Sequence, residues 1–568
     1  MSNAGKAVEL VLADQALTSL RSSGHDICSA IGEVSDNSIE ANANNIKIHF
    51  FTENKRIGNS KRTTTVIDKV AIGDDGDGMP AATLHRALQL GYSTRYNSRK
   101  GMGRFGVGAK LGGISQARRI EIYSRTANEK TWLFTYVDLD EIKEGEMKAI
   151  PEPIEKELPK ECRDLVGKIK GTLVIWSKAD RLQQRDSGGA RAADSVTSDV
   201  ISYISRTFRK FLDGGIKIHV NDVLVKPHDP LFLMTSTRFH QGNNSDPIAT
   251  VIVDKDMGEF EWPVPSDPTR KSKVEVTMTL LPEAFRPHRG SGGSDSVKER
   301  RIDDNEGISI LRANREIFFG ILRGVQPAVE EIDRWIGIEI RFQPELDECF
   351  AVRNVKKGAE PVNGLRDKLK DIIFKTVMTA RKQVQSYWSS KIAEQTRERG
   401  VHAEAEDVAM KTQPFAPKQQ AGTETPEPEK QRVFAEVAES LTTEHPERKS
   451  EVEQEIRSRP FTIIPASWPG SDFIEIQHLG NAGIIKLNTQ HAFYREVYGP
   501  LIEQVQKEVV EGVKEKSNAR RAQVGLDLLI MAYAGAEGMH PHASEHYADL
   551  RSYWSVNLKN LITTWTKG

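Results

Sequence analysis

Cysteine is scarce in this chain: its 568 residues contain only three, Cys28, Cys162 and Cys349. These three lie far apart and include no Cys-x-x-Cys pair, the spacing found in many structural zinc sites. The sequence therefore argues against a disulfide-stapled fold and against a structural zinc site. We expect a chain of this composition to fold in a reducing compartment.

An excess of charge of one sign is also absent, and so are long apolar runs. Lysine and arginine total 79 against 80 aspartate and glutamate residues, a net charge of −1, so no global basic field points to nucleic acid. No apolar run approaches the roughly 18 residues of a membrane helix, and no signal peptide opens the sequence. We therefore expect a soluble, cytoplasmic protein with no membrane partner.

The first of three informative blocks is residues 24–41, whose apolar positions recur at helical spacing. This pattern predicts an amphipathic helix. Glu33 and Asn37 are one turn apart on its polar side and can face a single ligand. A carboxylate can activate a water, and an amide oxygen can ligate Mg²⁺. Taken alone, the pattern also fits an ordinary solvated helix face.

The second block, GDDGDGMP at 73–80, follows a predicted strand at 66–72. Glycine allows a tight turn and a close approach of backbone to a flat ligand. Asp74, at the strand end, can accept a hydrogen bond from an exocyclic amine such as that of adenine. A surface turn is the alternative, whereas a calcium loop is disfavoured because the downstream bidentate glutamate is missing.

The third block is GMGRFGVGAKLG at 101–112, a Gly-x-x-Gly-x-Gly loop followed by a predicted helix near Ala109. Backbone N–H groups and the positive end of a helix suit a polyphosphate. The loop lacks the Gly-Lys-Ser/Thr ending of a Walker motif, and no strand leads directly into it as in a Rossmann fingerprint. In this order and spacing, the three blocks predict a pocket for ATP and Mg²⁺.

These blocks resemble the conserved boxes of the GHKL superfamily, which includes gyrase B subunits, heat-shock-type chaperones, histidine kinases, MutL-type repair proteins and MORC proteins. The resemblance implies that Glu33 is the general base, Asn37 the Mg²⁺ ligand and Asp74 the residue that reads adenine. Asp75 stands where many relatives have asparagine. The resemblance further implies that the cofactor-binding residues include Gly76, Gly78, Met79, Gly103, Phe105, Gly106, Val107, Gly108 and Thr172.

A second resemblance lies in segments 307–317, 334–342 and 345–361, which are similar to the transducer domain of MutL-type, gyrase-type and MORC-type ATPases. In those proteins a lysine of this domain reaches the γ-phosphate. Lys356 matches that position best and Lys357 is the fallback, so Lys356 joins Glu33 as an expected catalytic residue. The combined resemblance covers residues 10–385 and looks closest to bacterial MORC-like proteins.

The chain is long enough for several domains. We expect α/β and α+β multidomain architecture: a Bergerat-type mixed-sheet α/β sandwich, a transducer-type domain, a charged linker and a small C-terminal domain. Strands are predicted at 45–51, 66–72, 118–124, 132–137 and 172–177. The expected domains are an ATP-binding domain (1–195), a connecting helix and strand pair (196–244), a transducer (245–397), a flexible linker (398–458) and a C-terminal partner-binding or dimerisation domain (459–568).

The resemblance implies an ATP hydrolase that works as a homodimeric clamp, closing on ATP and acting on DNA in genome maintenance or in defence against foreign DNA. Two alternatives remain open from the sequence. One is a heat-shock-like chaperone with a protein client. The other is a nucleotide-sensing regulatory subunit that signals to a protein effector through the C-terminal domain.

Overall fold

The structure is a computed structural model that describes residues 13–22, 24–56, 63–92, 108–182, 192–240, 245–288, 290–352, 359–398, 400–443, 445–510 and 517–567. The chain divides into two compact units, Met1–Arg286 with Gly292–Val377, and Pro287–Ser291 with Met378–Gly568. The predicted fold class is confirmed, because both units combine helices with β-sheet. None of the described helices has the length and apolar composition that a membrane crossing requires.

An eight-stranded sheet organises the first part of the chain. Its strands are β1 (Asn45–Arg56), β2 (Thr63–Asp74), β3 (Ala117–Arg125), β4 (Leu133–Asp138), β5 (Ile154–Glu155), β6 (Gly171–Ala179), β7 (Lys217–Val220) and β8 (Val223–Leu224). Their order is β5-β4-β3-β6-β2-β1-β7-β8. Only β1 and β7 among these pairs are parallel, so the described sheet is mixed.

The helices of this region are α1 (Ala13–Leu20), α2 (Ile27–Glu40), α3 (Ala81–Arg86), α4 (Gly108–Gln116), α5 (Leu139–Lys143), α6 (Ala193–Thr207) and α7 (Arg209–Asp213). Apolar side chains of α2, α4 and α6 share one core with the sheet, for example Ile31, Ile114 and Val200 with Ile46. A smaller core containing Cys162 covers residues of β2, β3, β4 and β6. The result is an α/β sandwich.

Helix α2 begins at Ile27 because Asp26 caps it. The Asp26 carboxylate accepts a hydrogen bond from the Ser29 N–H at 2.8 Å, and Ser29 Oγ accepts one from the Asp26 N–H at 3.1 Å. This capping box satisfies two amides that a helix start otherwise leaves unpaired. Ile27 and Ile31 follow at helical spacing and are buried in the core, so the cap and the apolar stripe together fix the rotation of α2 against the sheet.

A second sheet follows in the same unit. Its strands are β9 (Thr250–Val253), β10 (Glu259–Val264), β11 (Asp267–Leu280), β12 (Ile308–Arg312), β13 (Arg315–Gly320) and β14 (Ile336–Phe342), and the helices along this part of the chain are α8 (Lys255–Gly258), α9 (Asp295–Glu299) and α10 (Asn363–Glu398). Helix α10 belongs to this unit up to Val377 and to the second unit from Met378. The order is β10-β11-β14-β12-β13, with β9 also pairing β11. Strands β12 and β14 are parallel, and the other described pairs are antiparallel.

A buried group of charges joins α7 to this second sheet. Arg209 is fully buried and donates to Glu316 at 2.8 Å, to Glu339 at 2.8 Å and to Ser309 Oγ at 2.6 Å. Burial alone would lower the pKa of Arg209, but the carboxylates outweigh it and raise that pKa above its ordinary value. Removing one partner would leave an uncompensated buried charge, which typically costs about 3–5 kcal/mol. The contacts therefore hold α7 and the second sheet in one arrangement.

The second unit is built on a three-stranded sheet with β17 at its centre. The strands are β15 (Phe461–Ala466), β16 (Ile474–His478) and β17 (Gly483–Asn488), and the helices are α11 (Ala403–Thr412), α12 (Glu427–Ser440), α13 (Lys449–Ser458), α14 (Gly499–Val510), α15 (Asn518–Gly538) and α16 (Ala543–Lys567). Strand β17 pairs parallel with β15 and antiparallel with β16. Ile463 and Ile464 point to opposite faces of the sheet and are buried in separate cores.

The segment 398–458, for which the sequence predicts a flexible linker, contains α11, α12 and α13. Phe434, Val437 and Leu441 are buried against Ile456 and the sheet residue Ile464. These apolar positions recur at helical spacing, which the high average content of Glu, Pro and Thr conceals. The structure therefore differs from the predicted linker here, because a few well-spaced apolar residues suffice to dock a polar helix.

Candidate nucleotide-binding site

Asp74 is the last residue of β2, and three groups from different elements hold its carboxylate. Oδ1 accepts hydrogen bonds from the N–H groups of Gly76 at 2.9 Å and Thr172 at 3.1 Å, and Oδ2 accepts one from Ser38 Oγ at 2.7 Å. Burial raises the pKa of Asp74, although these three hydrogen bonds oppose the rise. The carboxylate is thus fixed between α2, the turn after β2 and the first residues of β6.

The turn after β2 requires glycine at position 78. Gly78 has a φ of +72°, and a Cβ placed there would lie 2.2 Å from the Arg125 carbonyl oxygen. The next residue, Met79, donates its N–H to Ser124 Oγ at 2.8 Å, and Ser124 Oγ lies 2.9 Å from Thr172 Oγ1. Strands β3 and β6 therefore fix the turn that carries Met79.

Asp75 anchors the same turn to the start of β1. Its Oδ1 accepts from the N–H groups of Asn44 at 2.8 Å and Asn45 at 2.9 Å, and its Oδ2 from the Asn45 amide at 2.6 Å. Desolvation opposes these hydrogen bonds but is outweighed, so the pKa of Asp75 is lowered. Asp75 therefore has a structural role in this turn.

Glu33 and Asn37 lie on α2 as predicted, one turn apart. Glu33 is 8% exposed, whereas Asn37 is exposed. The first residue of α4 covers Glu33: a Cβ built on Gly108 would lie 1.9 Å from Glu33 Oε2. One turn later in α4, a Cβ on Gly112 would lie 3.0 Å from Ala30 Cα. Glycine therefore allows the start of α4 to approach the face of α2 that carries Glu33.

Lys110 ties α4 to the chain that precedes it. Its ammonium donates to the carbonyl oxygens of Gln89 at 2.7 Å and Tyr92 at 2.5 Å. Burial lowers the pKa of Lys110 to about 8. Lys110 therefore connects the start of α4 with residues 89–92.

Among the described residues, Ser38 of α2 contacts Asp74, and Glu33 of the same helix lies beside Gly108. Gly103, Phe105, Gly106, Val107, Lys356 and Lys357 lie outside the described residues. The sequence motifs do not indicate Ser38 or Ser124 as site residues. Ser38 lies one residue beyond Asn37, and Ser124 faces Thr172 directly across the β3–β6 pair, a register that the sequence alone does not give.

Comparison with known proteins adds to this geometry. Residues 25–172 match the family model described as histidine kinase-, DNA gyrase B-, and HSP90-like ATPase. This segment is therefore similar to GHKL-type ATPases. The matched range begins beside the cap of α2 and ends at Thr172, so it contains the described contacts of Asp74 and Glu33.

Two further comparisons, with curated proteins and with solved structures, do not extend this family match. Among curated proteins, no relative of the chain was found. Among solved structures, the chain is similar to one titled "Crystal Structure of N terminal domain of a DNA repair protein", with 14% sequence identity over 65% of this chain and 98% of that chain. Its TM-score of 0.36 is too low to support a statement about this protein.

Proposed function

We propose that the chain is a Mg²⁺-dependent ATP hydrolase whose nucleotide-driven motion acts on DNA. The observation that carries the proposal is the arrangement around α2 within the GHKL-type segment. Ser38 of this helix holds the buried Asp74 carboxylate, and Glu33 of the same helix lies under the start of α4. One helix would thus connect the adenine-reading group with the water-activating group.

Asp74 has the capacity to accept the adenine amine. An ionised carboxylate offers about four lone-pair sites, and Ser38, Gly76 and Thr172 occupy three of them. The remaining site suits one further donor. Gly76, Gly78, Met79 and Thr172 shape the turn around it, as the family resemblance implies.

Glu33 and Asn37 fit the chemistry of hydrolysis. Glu33 would act as the general base that orients and deprotonates the attacking water. Within the described part of the chain the Asn37 side-chain amide makes no hydrogen bond, and it is exposed, so its oxygen is available to a hard cation. Mg²⁺ held there with phosphate oxygens would neutralise charge on the transferred group.

The phosphates would lie at the start of α4. This helix begins at Gly108, and its N–H groups and dipole favour an anion at that end. Gly103, Phe105, Gly106, Val107 and Gly108 would cover the phosphates as a lid. Lys356, with Lys357 as the fallback, would reach the γ-phosphate from the transducer.

Replacing Gly108 by alanine is expected to lower ATP turnover by about 100-fold, the effect of misplacing a reacting group by about 1 Å. The added methyl would collide with Glu33 Oε2. Steady-state phosphate release measures the effect, with a melting curve to show that the variant is folded. Ala109→Ser, at the next position of α4, serves as the control. Wild-type turnover in Gly108→Ala would contradict the placement of Glu33 at the reacting centre.

The proposed homodimer has a candidate surface in the second unit. One face of α15 is exposed and carries apolar or small residues spaced alternately by three and four positions, as in a helix–helix seam. These residues are Ala522, Gly525, Leu529, Ala532 and Ala536, and exposed Met539 follows directly after the helix. Beside them α16 exposes large side chains, and the ring of Trp554 stacks with Tyr533 of α15. A ridge of large residues next to a groove of small ones is self-complementary under two-fold symmetry.

The exposed side chains of α15 and α16 together form a surface large enough to contribute to a dimer interface. Its large exposed side chains are Leu529, Tyr533, Leu550, Tyr553, Trp554, Leu561 and Trp565. At 150–250 Å² for each aromatic side chain, the exposed fractions of the two tyrosines and two tryptophans amount to roughly 400 Å², and the three exposed leucines add to this area. One partner contributes about 800 Å² to a standard interface. The second copy of this chain is therefore the occupant that we assign to the surface.

The double change Leu529→Glu with Trp565→Glu is expected to convert a dimer into a monomer, because it places two charges in the apolar seam. Two interface hot spots lost together weaken association by at least about 100-fold. Light scattering of the eluting protein gives the mass. Met257→Glu, at an exposed methionine of the first unit, is the matched control. A wild-type monomer at tens of micromolar, or an unaffected double variant, would refute this assignment.

Measuring ATP turnover with and without duplex DNA tests whether the nucleotide-driven motion acts on DNA. A clamp on DNA predicts DNA-stimulated turnover and binding that weakens steeply with salt. Turnover indifferent to DNA, with suppressed aggregation of an unfolded client, would indicate the chaperone instead. Bound ATP with slow turnover under all these conditions would indicate the regulatory subunit.

A further inference from the structure

Arg315, the first residue of β13, reaches across to the helix that carries Glu33. Its Nε lies 3.0 Å from Asp36 Oδ1 and 2.8 Å from Asp36 Oδ2. The Arg315 side chain is 3% exposed and that of Asp36 is 2% exposed. Asp36 lies three residues after Glu33 and immediately before Asn37, so a residue of the second sheet contacts the middle of the proposed catalytic turn.

A second contact closes the space beneath this turn. Arg315 Nη2 donates to Tyr203 Oη at 3.2 Å. A Cβ built on Gly32 would lie 2.5 Å from Tyr203 Oη and 3.2 Å from Arg315 Nη2. The backbone at Gly32, next to Glu33, thus contacts both Tyr203 and Arg315. The Glu33 side chain itself lies against Gly108, at the start of α4.

The charge of Arg315 is maintained in this buried position. Burial acts to lower its pKa, but the charge of Asp36, followed by Tyr203 and Glu33, outweighs burial and raises the pKa above the ordinary arginine value. The guanidinium therefore attracts the Glu33 carboxylate as well as the Asp36 carboxylate.

The strand that carries Arg315 is itself fixed. A hairpin with positive φ at Ala313 (47°) and Asn314 (72°) places Arg315 at the start of β13. Glu316, the next residue, belongs to the buried charge group around Arg209. A displacement of β13 would therefore shift Arg315 and, through Asp36, the turn of α2 that bears Glu33.

We infer that Arg315 is a positioning residue for Glu33, and that the buried Asp36–Arg315 pair makes ATP hydrolysis depend on the position of the second sheet. This inference rests on the proposed ATPase function. The proposed role of Lys356 is to contact the γ-phosphate. Arg315 would instead act on α2 through Asp36, without touching the nucleotide.

The test compares Arg315→Gln with Arg312→Gln. Arg312 on β12 forms a similar buried pair with Asp347, at 2.5 and 2.8 Å, so it controls for the loss of a buried ion pair in the same hairpin. In Arg315→Gln we expect kcat to fall about 10- to 100-fold, as for a misplaced reacting group, with KM for ATP close to wild type. Arg315→Lys should recover part of kcat. Arg312→Gln should lower the melting temperature without this fall in kcat.

A double-mutant cycle with Asp36→Asn adds a further readout. The effects of substituting residues that act as a unit are non-additive. The double variant Asp36→Asn with Arg315→Gln should therefore have about the kcat of the slower single variant. Equal kcat in Arg315→Gln and Arg312→Gln, or additive losses in the cycle, would overturn the inference.

Hydrogen exchange of the α2 amides separates this inference from the proposed function, because it needs no turnover. Arg315→Gln should accelerate exchange at residues 32–37 more than Arg312→Gln does. A wild-type chain without ATPase activity would count against the proposed function alone. Unchanged exchange at 32–37 would then still overturn the role of Arg315.

Discussion

Replacing Glu33 by glutamine is expected to stop ATP hydrolysis while leaving ATP binding intact. Glutamine keeps the shape of the side chain under Gly108 but cannot accept a proton from the attacking water. General-base catalysis contributes about 10²- to 10⁴-fold, so kcat should fall by at least the lower figure. Phosphate release measures kcat, and calorimetric titration measures the affinity for ATP.

Glu40→Gln provides the matched control, since Glu40 is the last residue of the same helix and is partly buried. It should retain wild-type turnover, because it lies nearly two turns from Glu33. Equal losses in the two variants would point to damage to α2, and normal turnover in Glu33→Gln would remove Glu33 from the proposed mechanism.

Replacing Asp74 by asparagine is expected to weaken ATP binding by about 5- to 150-fold, which corresponds to the 1–3 kcal/mol of an unsatisfied buried group. The amide loses an acceptor that the adenine amine would use. Asp75→Asn is the control, because Asp75 accepts from the backbone at Asn44 and Asn45 and should affect stability more than affinity. Titration of each variant with ATP decides between them.

The pH dependence of ATP affinity has a definite sign. Burial raises the pKa of Asp74 above 3.8, so acidification protonates Asp74 at a higher pH than an exposed carboxyl group. ATP affinity should fall as the pH falls through that raised pKa. The same shift means that the folded state binds this proton more tightly, so the contribution of Asp74 to stability decreases as the pH rises from 3.8 through the raised value. Affinity that stays constant down to pH 4 would contradict Asp74 as the acceptor.

The strands around the site could be predicted from the sequence because each is a short apolar run that ends in a turn. The prediction of a strand at 66–72 corresponds to β2, and that at 172–177 to β6. Helix α2 follows its predicted apolar stripe closely, running from Ile27 to Glu40 within the predicted 24–41. Local spacing is sufficient for such elements, since each pattern repeats within one segment.

The contacts that organise the site could not be predicted in this way. Arg315 and Asp36 are 279 residues apart in the chain, and nothing in either local pattern indicates the pair. Ser124 meets Thr172 through the strand register, which depends on the whole sheet. In the segment 398–458, composition concealed the helix-spaced apolar residues Phe434, Val437 and Leu441, whose burial depends on a sheet later in the chain.

The most direct test of the central claim is steady-state phosphate release by the purified wild-type chain with ATP, in the presence of Mg²⁺ and after its removal by a chelator. The account predicts turnover that requires Mg²⁺ and that disappears in Glu33→Gln. A wild-type chain that binds ATP with Mg²⁺ but releases no phosphate, or one whose phosphate release persists in Glu33→Gln, would contradict it.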